Sequence, residues 1–434
     1  MSETSSDPIK KELSDLRATY NDLRSRGLAL DLTRGKPAAD QLSLSDGLDG
    51  ILDGDYRAAD GTDCRNYGGL DGLPETRKLG SWFLDCDPDD VMVGGNSSLT
   101  LMHQWVMLAM GDPLPGATMS WSAEAAAGSG SGTVRFLCPV PGYDRHFTIC
   151  QQFGIEMIPV AMTDDGPDMD LIEEAVAADP MIKGIWCVPR YSNPTGVTYS
   201  RETVERFARL GSVAAPGFRI FWDNAYALHH LGDEIADMPS LLTLAREAGN
   251  EDTPLCFAST SKVTFAGSGV SFLAASAANR DALRKRMVAA TIGPDKVNQL
   301  RHSRMFPNRL ALAAHMEMHA ELLAPKFAAV EEALVRDLGE GDFATWTQPS
   351  GGYFVSLDVA PGLAREVIRL AGEAGVKLTP AGATSPLGND PDDTNIRVAP
   401  SFPPLEEVRS AMEVLTVCVR LATLDARVAT ADKG

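Results

Sequence analysis

The chain has 434 residues, of which 44% are apolar and 23% charged. These are values for a core-forming globular chain of two or three domains, and they exclude a disordered, collagen-like or coiled-coil protein. With 39 Lys and Arg against 59 Asp and Glu the net charge is −20, which excludes general affinity for nucleic acid or an anionic membrane surface but leaves room for a local pocket that takes a small anion.

In chain order, MSETSSDPIKKELSDL has neither the basic nor the apolar region of a secretory signal. The charged, amphipathic stretch from Asp7 to Arg26 predicts one helix, followed by a short apolar LALDL. From residue 89 to about 275, β-rich runs alternate with helical ones. VMVGG (91–95) precedes SLTLMHQWVMLAM, whose Met and Leu stripe reads as core. TVRFLCPV (133–140) precedes DRHFTICQQF, IEMIPVAM precedes MDLIEEAVAA, and IKGIWCVP precedes RETVERFARL. FRIFWD (218–223) and PLCFAST (254–260) close the series. Uniformly apolar strands separated by helices predict an α/β fold with a parallel sheet covered on both faces. Right-handed crossovers then set the C-terminal ends of the strands on one rim.

After about residue 300 the pattern changes. A helical tract from Asn308 to Leu338 leads to FATW, GGYFVSLDV, a helix near 363–374, VKLT, NIRVAP and a last helix from Leu405, with VATADKG as a frayed end. The expected organisation is a large domain at 46–304 and a smaller α+β domain made of 1–45 and 305–434. No apolar run approaches the roughly 18 residues of a membrane span. The seven cysteines are scattered, odd in number and without a CxxC pair, which points to a reduced, cytoplasmic protein with no disulfide frame and no metal site.

Five segments at predicted strand ends carry chemistry. Lys262, in Ser259-Thr260-Ser261-Lys262, follows a buried strand, where desolvation lowers an amine's pKa and makes it a nucleophile; a lysine snorkelling from a loop is the plainer reading. Asp223 ends FRIFWD with Tyr226 three residues on, and a carboxylate there either holds a protonated ring nitrogen or caps the next turn. Asn193, in Tyr-Ser-Asn-Pro-Thr-Gly (191–196), is aimed inward by a tight turn. Gly94-Gly95-Asn96-Ser97-Ser98 lies between a strand and a helix, where free N–H groups favour a phosphate, although it matches neither the dinucleotide fingerprint nor the P-loop. Pro141-Gly142-Tyr143-Asp144-Arg145-His146 offers an aromatic to stack on a flat ring and a histidine to support a carboxylate.

Asp223 lies 30 residues after Asn193 and 39 before Lys262. With NPTG, DNAY and SxSK in this order, the chain resembles the class I, fold-type I pyridoxal-phosphate aminotransferases from DLTRGKP (31–37) to NIRVAPSFP (395–403). DLTRGKP, RNYGGLDGLPE, PGYDRH and DNAYALHHL are similar to a bacterial aspartate aminotransferase subgroup. The resemblance implies a pyridoxal 5'-phosphate cofactor bound as a Schiff base to Lys262, which also shuttles a proton. Asp223 would pair with the ring nitrogen, supported by His146, while Tyr226 and Asn193 hold the phenolic oxygen and Tyr143 stacks on the ring. Asn96, Ser97, Ser98, Ser259 and Ser261 would surround the phosphate, joined by Tyr67 from the other subunit of a homodimer with shared sites. Arg397 would clamp the substrate α-carboxylate, with the Gly35 backbone closing over it and Arg34 beside Gly35 in the substrate site. One departure is plain: where the family has an arginine eight residues after the lysine, this chain has Val270.

The expected activity is ping-pong transfer of an amino group from aspartate or glutamate to a 2-oxo acid such as 2-oxoglutarate. Aminotransferases for alanine, aromatic amino acids or 2-aminoadipate, and other enzymes of this cofactor such as β-lyases or decarboxylases, are the alternatives; a non-enzymatic regulator is a remote one. A distal substrate carboxylate needs its own cation, and Arg34, Arg190, Lys296, Arg301 and Arg304 are the candidates. His315 and His319 in HMEMH lack the HExxH order and are expected on an exposed helix surface, while His229-His230 is expected near the mouth of the site.

Overall fold

The computed structural model describes residues 7–128 and 132–431. Its strands are β1 (Leu30–Asp31), β2 (Val91–Val93), β3 (Arg135–Val140), β4 (Glu156–Thr163), β5 (Gly166–Pro167), β6 (Ile182–Cys187), β7 (Arg219–Asp223), β8 (Pro254–Ser259), β9 (Ser271–Ala274), β10 (Ala344–Trp346), β11 (Val355–Val359), β12 (Val376–Lys377) and β13 (Asn395–Val398). The large sheet has the order β2-β9-β8-β7-β6-β3-β4-β5. Strands β3, β4, β6, β7 and β8 are parallel. Strand β9 runs against both β8 and β2, which returns β2 to the direction of the parallel set. The C-terminal ends of β2, β3, β6, β7 and β8 therefore share one rim, and four of the five singled-out segments follow β2, β3, β6 and β8 while Asp223 ends β7.

The antiparallel β9 departs from the parallel sheet expected. Only residues 260–270 separate β8 from β9. That is too short for a crossover, so the chain reverses beside β8. The core strands are apolar because helices cover both faces; β6 and β7 are buried along their whole length.

A second core is built from both ends of the chain. Leu13, Leu16, Tyr20 and Leu23 form one stripe of the Asp7–Ser25 helix, and they pack in the cluster that contains Val408, Met412, Leu415 and Val419 of the Leu405–Ala431 helix. The sheet β10-β11-β13 and the β1–β12 pair complete this layer. The Arg309–Leu338 helix serves both cores: Leu312 and Met316 join the large one, Phe327, Val330 and Leu334 the small one. Apolar packing thus changes hands inside a helix that also contains Pro325.

Two expectations are corrected here. His315 and His319 are buried, because their helix face packs on the segment that follows Lys262. The last helix continues through Ala431 instead of fraying at Val428; residues 432–434 lie outside the described part. Among the described residues no helix is long and apolar enough to cross a membrane, and no cluster of His, Cys, Asp or Glu could hold a metal ion.

Candidate active site

A cleft of about 510 Å³ opens at the rim between the two cores. At its floor Asp223 is buried and accepts a hydrogen bond from His146 Nε2 at 3.1 Å. His146 is itself held by ring stacking on Trp186, with centroids 4.5 Å apart. The other oxygen of Asp223, Oδ1, is buried with no protein partner. A buried carboxylate oxygen left open is costly unless a donor arrives from the cleft. The protonated nitrogen of a pyridine ring is such a donor, so the floor fits the ring that the sequence implies.

Lys262 enters from the end of β8. Thr260 fixes its approach: the Thr260 N–H donates to Val270 O, and the Val270 N–H donates to Thr260 Oγ1, both at 2.9 Å. Val270 is therefore a buried clamp of the loop and offers nothing to an anion. Lys262 Nζ stands 4.8 Å from the centroid of the Tyr226 ring. Burial lowers the Lys262 pKa below that of an ordinary lysine, opposed in part by Asp223. Burial also pushes the Tyr226 hydroxyl well above the usual phenol range and Tyr143 to about 12, so both are hydrogen-bonding phenols at neutral pH. Tyr143 precedes the Asp144–Phe153 helix and lines the cleft.

Asn193 stands on a turn that Gly196 makes possible. Gly196 has a φ of +72°, and a Cβ there would lie 2.4 Å from Pro349. The Asn193 Oδ1 accepts from Arg397 Nη1 at 3.3 Å. Arg397, on β13, is buried; its Nε and Nη2 donate to Thr379 Oγ1 at 3.3 and 3.2 Å, and its guanidinium lies 5.0 Å from the Phe354 ring centroid. A carboxylate of Asp144 sits 3.5 Å from Nη1. Gly35 rests against the same Phe354, where a Cβ would meet the ring at 2.1 Å, so only glycine lets this segment approach.

The opposite end of the cleft is neutral. Ser97 and Ser98 stand at the start of the Ser98–Gly111 helix, and the Ser97 hydroxyl is not used as a cap. Ser259 and Ser261 face them; Ser261 Oγ donates to Asn96 O at 2.7 Å. Hydroxyls and helix N–H groups together fit a phosphate without a dedicated guanidinium. The Asn96 side chain turns out of the cleft toward Gly267 O. Tyr67 is 84% exposed on this chain and does not line the cleft.

The expected cations separate sharply. Arg34 lines the mouth. Arg190 donates to Ala236 O at 3.1 Å, Lys296 to Asn66 O and Gly68 O, and Arg304 pairs with Asp55, while Arg301 lines another hollow with Asp46 and Phe265. Sequence reasoning overlooked Arg145, Phe354 and Thr379, all in the cleft wall. Arg145 was legible: it directly precedes His146 at the head of a rim helix, and successive helical residues diverge by about 100°.

The aspartate amino-transferase family profile matches residues 4–431. The chain belongs to this family. An aspartate aminotransferase of Corynebacterium glutamicum is 46% identical over 95% of this chain and 93% of its own. A Mycolicibacterium smegmatis protein with an aminotransferase name is 51% identical over 94% of each chain. A solved aspartate transaminase from Corynebacterium glutamicum superposes with a TM-score of 0.93 at 44% identity, covering 98% of both chains. More distantly, an α-aminoadipate aminotransferase of Thermus thermophilus, solved with a phosphopyridoxyl-leucine adduct, shares the fold at a TM-score of 0.73 and 21% identity. The fold is thus that of the fold-type I aminotransferases, and the aminotransferase class follows from the family.

Proposed function

We propose that the chain is a pyridoxal-phosphate-dependent aminotransferase that moves the amino group of aspartate or glutamate to a 2-oxo acid such as 2-oxoglutarate by a ping-pong route. The observation that carries this reading is the unpartnered Oδ1 of Asp223 on the same cleft floor as the buried amine of Lys262, with Arg397 on the far wall. When bound, the cofactor supplies an electron sink for the electrons of the substrate Cα–H bond. Asp223 would keep the ring nitrogen protonated, and Tyr226 and Asn193 would hold the ring's phenolic oxygen. Lys262 Nζ, neutral at lower pH than an ordinary lysine, would attach the cofactor, then take the Cα proton and return it. Ser97, Ser98, Ser259, Ser261 and the helix N–H groups would hold the phosphate.

Arg397 offers a planar fork to the α-carboxylate. The Asp144 carboxylate stands 3.5 Å from Arg397 Nη1, and its side chain is 35% exposed, so it can yield to substrate by turning to water. For a distal carboxylate, the cleft lining provides Arg34 and Arg145; among the described residues the ion-pair partner of Arg145 is Asp144, at 3.9 Å. These two cations support the dicarboxylate preference together with the aspartate aminotransferase names of the relatives. The 84% exposure of Tyr67 supports a homodimer in which it reaches the partner's phosphate site. The two cores support a division near 46–304 and the remainder, except that Phe306, Leu312 and Met316 pack in the large core, and seven free cysteines suit a reducing, cytoplasmic setting.

The test is a spectrum of the purified protein while amino acids are added one at a time, followed by kcat/KM for aspartate, glutamate, alanine, phenylalanine and 2-aminoadipate. Aspartate or glutamate should lead. Arg145→Ala or Arg34→Ala should cut that lead by about tenfold or more and spare alanine. Alanine matching aspartate in the unaltered protein would defeat the dicarboxylate assignment.

A further inference from the structure

Behind the cleft, three buried histidines serve no step described above. His315 Nε2 lies 2.7 Å and His319 Nε2 2.9 Å from Val263 O, with the two nitrogens 3.2 Å apart and Ser45 Oγ 3.5 Å from the same oxygen. His229 Nε2 lies 3.2 Å from Lys262 O, and Tyr353 Oη 3.3 Å from it. These are the main-chain carbonyls of the Schiff-base lysine and of its successor.

The direction of each bond can be derived. Gln41 Oε1 accepts from the Ala38 N–H at 3.0 Å, which fixes the orientation of the amide. Gln41 Nε2 must then donate, to His319 Nδ1 at 3.1 Å and to Tyr353 Oη at 3.2 Å. A neutral His319 that accepts at Nδ1 carries its proton on Nε2 and donates to Val263 O. Tyr353, accepting from Gln41, donates to Lys262 O. His229 donates from Nε2 and leaves a bare, buried Nδ1, the form that avoids an orphaned N–H. Burial keeps the set neutral, with His229 lowered to about 3 and His319 to about 4. The titratable groups that face the imidazoles are one another, Lys262, His230, Tyr226, Tyr353 and Asp40.

We propose that Gln41, His319, His229 and Tyr353 are positioning residues for Lys262: a hydrogen-bond relay of fixed direction that pins the carbonyls of Lys262 and Val263 and so sets where Nζ stands over the cleft floor. The relay starts at Gln41, six residues after the Gly35 that packs on Phe354, and ends at the lysine, so it joins the mouth of the cleft to its nucleophile. The inference rests on Lys262 being the cofactor's attachment point.

The experiment measures how fast cofactor-free protein forms a borohydride-reducible link with pyridoxal phosphate, the pH midpoint of the resulting visible band, and the melting temperature. A glutamine side chain can place its amide nitrogen near the Nε2 position of histidine, whereas asparagine reaches only the Nδ1 position. His319→Gln should therefore stay within about twofold of the unaltered protein, and His319→Asn should capture the cofactor roughly tenfold more slowly with a displaced midpoint. Gln41→Met keeps the length without a charge and removes the donor that orients both His319 and Tyr353, and should move toward His319→Asn by less. Tyr353→Phe, which removes one hydroxyl, should move the same way by less. The proposal is overturned if Gln41→Met and Tyr353→Phe keep the original rate and midpoint while only the melting temperature falls, or if His319→Gln is as impaired as His319→Asn. Should the unaltered protein itself form no link, the cofactor assignment fails instead.

Discussion

The two ends of the cleft are made by different means. The ring end is buried and multiply braced: Asp223 on His146, His146 on Trp186, Asn193 on Arg397, Arg397 on Thr379. The phosphate end is a partly exposed bowl of hydroxyls at a helix start, with Val270 buried behind it. The difference shows where the fold concentrates its low-dielectric surroundings. The amine that must be tuned sits deep, where burial lowers its pKa; the group that must only be anchored meets neutral donors near water, where a guanidinium would gain less.

The comparison can be broken most severely at the ring end. Lys262→Ala should abolish the borohydride-reducible link and lower turnover by about 10³-fold or more. Asp223→Ala should reduce kcat by roughly 10²–10³-fold while cofactor is largely retained, as expected for a group whose charge acts in the transition state; equal losses in retention and kcat would place its role in anchoring. Arg397→Lys keeps the charge but loses the fork, and should raise KM for every amino acid by about tenfold to a hundredfold with a smaller change in kcat. The bowl should respond gently. Ser259→Ala should weaken cofactor affinity by only about fivefold, read by titrating the cofactor-free protein, and excess cofactor should restore activity.

A separate effect is on stability against acid. His229 and His319 have folded pKa values of about 3 and about 4, below their ordinary 6.5, so the unfolded chain binds more protons between those limits. Stability should therefore be full above pH 6.5 and fall as the pH drops toward 4, by on the order of 2 kcal/mol per histidine. His319→Gln should flatten the fall of the melting temperature over that range.

Legibility in the sequence followed the same division. Lys262, Asp223 and Asn193 could be read because each terminates an apolar run, and the periodicity that finds a strand also finds its rim. Strand β9 was missed because SFLA is short and its direction depends on the length of the preceding loop. Thr379 and Phe354 reach the cleft through the packing of one core on the other, which no local pattern encodes, whereas Arg145, beside His146 on a rim helix, could have been read. The histidines of HMEMH were misjudged for a related reason: a helix that serves two cores buries more than one stripe, so the usual sign of an exposed face is lost. Asn96 was assigned from its place in a Gly-rich turn, but side-chain direction in a turn follows tertiary partners, here Gly267.

The small core also sets a timetable. Its first helix, Asp7–Ser25, and that helix's packing partner, Leu405–Ala431, lie almost the whole described chain apart. The ion pair of Glu12 with Arg420 closes a separation of 408 residues. At roughly 5–20 residues per second of synthesis, the stripe of Leu13, Leu16, Tyr20 and Leu23 waits on the order of 20–80 s for its cover. The residues of the large core end at Met316, so all of them are made within that interval, while the stripe of the Asp7–Ser25 helix still lacks its cover.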